Sequence, residues 1–155
     1  MKKIVTNILI FVMLLALCGC STDKQTEEYL NTCTIIVDFS DILNDIESLK
    51  EEKRSLVNDS GILFSSDDVG FNEGENAFDV LSRELKEAGI HMEAEITPIY
   101  NTMYIKGIGN IYELDCGERS GWQYLVNGES PMVACSDYIL KDGDKVEFIY
   151  KRVGY

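Results

Sequence analysis

The chain has 155 residues, with 14 Lys and Arg against 27 Asp and Glu, for a formal net charge of −13. A surface of that sign repels phosphate backbones and anionic headgroups, which argues against a nucleic-acid partner. The length suits one domain plus a short tether, and 2 prolines with no low-complexity run exclude a long rigid stalk.

Residues 1–19 have the layout of a secretory signal, with Lys2 and Lys3 ahead of the unbroken apolar run ILIFVMLLAL. That run is shorter than the roughly 20 apolar residues a membrane-spanning helix needs. The stretch Leu17-Cys18-Gly19-Cys20 resembles the lipobox of bacterial lipoproteins, in which the cysteine after the small residue is acylated and becomes the new N-terminus. The resemblance implies lipid (palmitate) on Cys20 and a protein exported, held on the cell membrane and facing outward; an ordinary cleavable signal is the alternative. Loss of the signal leaves 12 basic residues against 27 acidic ones, a charge of −15, so attachment would rest on acyl chains and not on charge. Residues 20–31 are polar and read as the tether, and residues 32–155 as a single domain with its core over about 70–150.

Residues 34–39, TIIVDF, form a β-branched strand pattern. Residues 41–56 look helical, with Ile42, Ile46 and Leu49 on one stripe, and suit a surface insertion. A turn at 58–61 leads to one or two short strands before Phe71. The clearest helix follows, capped by Asn76, carrying Phe78, Leu81, Leu85 and Ala88 at helical spacing and ended by Gly89. Strands are expected at 92–97, 103–106, 111–115, 122–126 and 145–151. Asn127-Gly128 marks a tight type I′ turn, and Asp142-Gly143-Asp144 another. This order predicts an α+β fold: a β-grasp-like mixed sheet, one main packed helix and a C-terminal β-hairpin region.

Beyond Cys18 and Cys20, the cysteines are Cys33, Cys116 and Cys135. Cys116 and Cys135 flank the Trp122 hairpin, and a disulfide between them would close a loop of roughly 20 residues for about 3 kcal/mol, although other pairings stay open. Cys33 is then buried, free or bonded elsewhere. His91 is the only histidine, just past a helix end, so a Cys33–His91 nucleophile pair is a weak basis for an enzyme, and no catalytic role is expected. The thiols and imidazole lack the close ligand pairs of a zinc site, and Asp67, Asp68, Glu73 and Glu75 lack a calcium-loop pattern, so no metal or cofactor is expected.

Aromatic residues gather toward the C-terminus: Tyr100, Tyr104, Tyr112, Trp122, Tyr124, Tyr138, Phe148 and Tyr150. About half belong in a core at alternating strand positions. Trp122 and Tyr124 share one strand face beside a tight turn, which suits a flat apolar ligand or a partner surface as well as it suits packing on the helix.

The segments Gly74-Glu75-Asn76-Ala77-Phe78-Asp79-Val80-Leu81, Ile105-Lys106-Gly107-Ile108, Gly121-Trp122-Gln123-Tyr124-Leu125-Val126-Asn127-Gly128 and the run from Ser136 to Glu147 with Lys141-Asp142-Gly143-Asp144 resemble the transcobalamin-like C-terminal domain. The resemblance spans residues 70–150, and Cys116 and Cys135 fall where many bacterial members carry a pair. It implies that fold and a corrinoid (cobalamin-like) or other flat ligand, with Trp122, Gln123, Tyr124 and Asn127 as the contact residues. In the animal carriers a separate helical domain holds the other face of the corrinoid, and no such domain is expected within these 155 residues. Glu129-Ser130-Pro131 also departs from the aromatic-before-proline of many bacterial members. A structural or adhesion module recognising a surface protein or glycan is the other reading.

Overall fold

The structure is a computed structural model and describes residues 29–153. The signal, Cys20 and most of the expected tether lie outside the described residues.

The first strand, β1 (Asn31–Asp38), buries Cys33, Ile35 and Val37 on one face, as the β-branched alternation demands. It pairs antiparallel with β2 (Ile62–Phe71) and parallel with the last strand, β7 (Lys145–Lys151), which itself pairs antiparallel with β6 (Gly121–Val126). The result is a mixed four-stranded sheet in the order β2-β1-β7-β6. A second, antiparallel sheet holds β3 (Met92–Thr97), β4 (Thr102–Ile108) and the two-residue β5 (Ile111–Tyr112). The class is α+β, as the element order implies, with the strands divided between two sheets.

Helix α1 (Ala77–Glu87) starts where the sequence says it should: Asn76 is extended and its side chain accepts from the Asp79 amide at 2.9 Å. Ala77, Val80, Leu81 and Leu85 are buried, while Phe78 is half-buried and Ala88 exposed. This face joins Ile35, Val37, Ile105, Ile108, Val146 and Phe148 in the main apolar cluster.

Residues 41–56 do not make the expected α-helix. They form two 3₁₀ segments, Ser40–Ser48 and Glu51–Leu56, the first broken at Asp45 (φ −161°, ψ 76°) and followed by an extended Leu49. Short polar side chains compete for the backbone here: the Ser48 hydroxyl donates to the Asp45 carbonyl at 2.7 Å, and neither segment has a side-chain N-cap. Nor is the segment a mere surface insertion. Ile42 and Leu49 are fully buried with Phe39, Ile111 and Tyr150 in a second apolar cluster. Lys50 and Lys53 reach the carboxylate of buried Asp115 at 2.8 and 2.5 Å. The expected strand over 111–115 shrinks to β5 because Leu114 takes positive φ and Asp115 turns inward, where the Tyr112 amide donates to it at 2.7 Å.

Candidate ligand-binding groove

The groove lies where the two sheets part, between β4 and β6. β6 alternates, so Trp122 and Tyr124 share a face. Trp122 stands opposite Tyr150 on β7 with rings edge-to-face at 5.3 Å, and Tyr124 stands opposite Phe148 with rings stacked at 6.0 Å. Thr97, Thr102, Met103, Tyr104 and Ile105 form the facing wall, and Ala134 and Cys135 close one end. The cavity holds about 210 Å³ and its lining is mostly apolar.

The polar tips of the aromatics are spent inside the protein. Trp122 Nε1 donates to the Ile111 carbonyl at 2.9 Å, and the Tyr124 hydroxyl donates to the Val133 carbonyl. The Tyr104 hydroxyl donates to Glu113 at 2.5 Å; that bond, with burial behind it, pushes its pKa up to about 12. Burial likewise lifts Tyr124 to about 12. These phenols therefore stay neutral at any ordinary pH and offer apolar faces to a ligand. The end wall is a strap tied at two points, since the Met103 amide on β4 donates to the Ser136 hydroxyl at 3.0 Å while Tyr124 on β6 holds Val133.

A family model described as a domain of unknown function, DUF4430, matches residues 74–152, just over half of the chain and the part that builds α1, β4, β6 and β7. The chain belongs to the DUF4430 family. No curated protein matches it. Among solved structures, haptocorrin in complex with Cbi matches this DUF4430 chain with a TM-score of 0.53 at 16% identity, over 79% of the chain and 25% of haptocorrin. The chain thus spans about a quarter of haptocorrin's length. That likeness shows the fold, which is the transcobalamin-like one. A protein from Ruminococcus gnavus ATCC 29149, provisionally described as metal binding, matches with a TM-score of 0.49 at 17% identity, over 81% of this chain and 99% of its own.

Of the four contact residues expected from the motifs, the DUF4430 fold brings Trp122, Gln123 and Tyr124 together in the groove. Asn127 is elsewhere. With Gly128 it forms the expected tight turn, both residues at positive φ (53° and 83°), but its side chain is consumed there. Asn127 Nδ2 donates to Asp144 at 2.9 Å, and its Oδ1 accepts from the Lys145 amide at 2.9 Å. The facing wall and the strap were not among the expected contact residues, because nothing local marks residues that only tertiary packing sets against β6; an apolar alternation at Met103 and Ile105 is the sole hint.

The three cysteines of the DUF4430 chain's described part are free thiols. The expected Cys116–Cys135 bond is not formed in this structure: Cys116 packs against the second apolar cluster and Cys135 sits in the first. Flanking the same strand in sequence did not bring them into the same cluster. Cys33 is buried in the first cluster at 3% exposure, and burial pushes its pKa up to about 11. His91 is exposed and its Nε2 lies 3.2 Å from the Tyr112 hydroxyl. Among the described residues no three His, Cys, Asp or Glu side chains gather as a metal site requires.

Proposed function

We propose that this chain is a non-catalytic binding module of the outer cell surface, held by lipid on Cys20, whose groove between β4 and β6 seats a flat, amide-rimmed ligand of the corrinoid class. The observation that carries the reading is the coincidence of two things. The fold is that of a haptocorrin segment, a protein solved with Cbi, and the aromatic face of Trp122 and Tyr124 opens into an apolar groove with Gln123 in its lining. Aromatic rings present large apolar area at low entropic cost, and Gln123, whose side chain leaves the opposite face of β6 at the groove's rim, supplies a donor and an acceptor for amides of a ligand that overlaps the strand edge.

The groove's 210 Å³ is less than a typical small-molecule site, so a macrocycle rests on it by one side only. A lone chain then binds on the order of micromolar or worse, because little ligand surface is buried against the cost of association. Titration of the protein with cobinamide and cobalamin, followed by calorimetry and the visible absorption band, tests this. Saturable binding that weakens in Gln123→Ala and Trp122→Phe supports the reading, and no heat or spectral change at millimolar ligand removes it. Detergent partitioning and the mass of the mature N-terminus test the Cys20 anchor; a water-soluble protein with an unmodified N-terminus removes it.

A further inference from the structure

β6 is the last strand of its sheet, and its hydrogen-bonding phase is fixed on both sides of β7. The Thr34 amide donates to the Asp144 carbonyl at 2.9 Å on the β1 side, and the Asn127 amide donates to the Lys145 carbonyl at 2.8 Å on the β6 side. Main-chain groups of successive strand residues point to opposite edges. Gln123, opposite Ile149, and Leu125, opposite Glu147, therefore serve the ladder with β7, and the amides and carbonyls of Trp122, Tyr124 and Val126 point outward.

The chain closes the last of these three itself. The Val126 amide donates to the Glu129 carbonyl at 2.8 Å, and the Glu129 amide returns to the Val126 carbonyl at 3.0 Å, which is one step of an antiparallel strand. Continued, that register would set residue 131 against Tyr124. Residue 131 is Pro131, which has no N–H to give. The loop peels away, and the outward main-chain groups of Trp122 and Tyr124 have no hydrogen-bond partner among the described residues. They border the groove. Next to it lies a more exposed apolar shelf of Tyr100, Met132 and Val133 (77%, 100% and 47% exposed), joined to the groove through Thr102 and Ala134, which line both.

The geometry points to an extended peptide as a ligand of this edge: a short strand paired antiparallel with Trp122 and Tyr124. One large apolar side chain fills the groove and a second, two residues along, lies on the shelf. Strand residues two apart share a face about 7 Å apart, which is what a groove with an adjoining shelf asks for. Strand addition draws affinity from main-chain bonds and selectivity from such pockets. Acids stand around the groove, with Glu113 bonded to Tyr104, and Asp137 close enough to Tyr124 to act on its hydroxyl, so the flanking residues are basic. The inference uses the backbone of β6 and shares the groove with the corrinoid reading, so the two ligands would compete, but it does not depend on that ligand binding.

The test is a nitrogen-15 spectrum of the protein titrated with acetyl-KTFTLTK-amide and its variants carrying Leu, Ile, Val or Trp at the two apolar positions. Each peptide is made unmodified and in two N-methylated forms that block alternate amides. The expected result is that at least one peptide shifts the Trp122 and Tyr124 amide signals and slows their hydrogen exchange. One N-methylated form then loses binding roughly tenfold or more while the other keeps it, because only one set of peptide amides faces the edge. No response of those two amides to any peptide at millimolar concentration overturns the inference, and so does equal binding of both N-methylated forms. Failure of cobinamide to bind leaves it standing.

Discussion

Lys53 and Asp115, 62 positions apart in the chain, meet at 2.5 Å and tie a 3₁₀ segment to the turn after β5. Lys50 adds a second ammonium at 2.8 Å, and Lys53 also lies 4.6 Å from the Tyr112 ring centre. Burial alone would raise the Asp115 carboxyl; the two ammonium groups outweigh it and hold its pKa below the usual carboxylate value of 3.8.

Because the folded pKa is depressed, the stabilisation from Asp115 is fully present above the unfolded value of about 4 and is lost as the pH falls through the lower folded one. Asp115→Asn is expected to cost about 1–2 kcal/mol at neutral pH, since it replaces charge-assisted bonds to two partly solvated lysines by contacts with a neutral amide, and to flatten the acid limb of the stability profile. Urea midpoints at pH 7 and pH 3 for both proteins check this. An equal loss of stability on acidification in both would count against it.

Tyr124→Phe removes one hydroxyl and leaves the Val133 carbonyl of the strap without its donor. The expected cost is about 1 kcal/mol, with faster hydrogen exchange confined to residues near 131–136. Trp122→Ala should cost about 3 kcal/mol, because the indole packs on both apolar clusters and its N–H holds Ile111. For that reason Trp122→Phe is the variant to use when binding is the question.

The thiols give a third outcome. With pKa values pushed up to about 11 by burial, Cys33 and Cys135 carry little thiolate at pH 8 and should be alkylated only after unfolding. Cys116, less buried, should react first. Peptide mapping without reduction decides the matter, and a linked Cys116–Cys135 peptide from the native protein would contradict the free-thiol arrangement.

At the start of the domain, the Tyr29 ring covers Gly70 so closely that a Cβ there would fall 2.2 Å from a ring atom, and the Arg83 guanidinium lies 5.1 Å from the ring centre. Arg83 is itself held by Glu75 at 2.8 Å. Gly70→Ala and Tyr29→Ala are each expected to cost about 1 kcal/mol and the double variant no more than the larger single one, since both remove the same contact. A fully additive double variant would refute the packing.

Much of the fold is legible in the sequence where local chemistry and tertiary demand agree. The strict alternation of Val146, Phe148 and Tyr150 places β7 over its full length, and Asn76 marks the start of α1. Between residues 41 and 56 the apolar spacing of Ile42, Ile46 and Leu49 fits a helix stripe, yet the polar side chains between them bind the backbone locally and the lysines reach away to Asp115. In the groove, β6 announces its own aromatics, whereas Ala134 and Cys135 arrive through a loop whose path is set by Tyr124 and Ser136. Asn127 misleads for the opposite reason: the same turn that makes it conspicuous uses up its amide.

The parallel pairing of β1 with β7 also bears on time. Ile35 and Val146 sit side by side though 111 positions separate them, and β7 is flanked by β1 on one side and β6 on the other. Until β7 is available, β1 can pair only with β2 and β6 has no sheet to join. The chain must therefore wait, with the apolar faces of both strands uncovered, for Lys145–Lys151. A fold of this kind closes in one late, long-range step and should form slowly for its size.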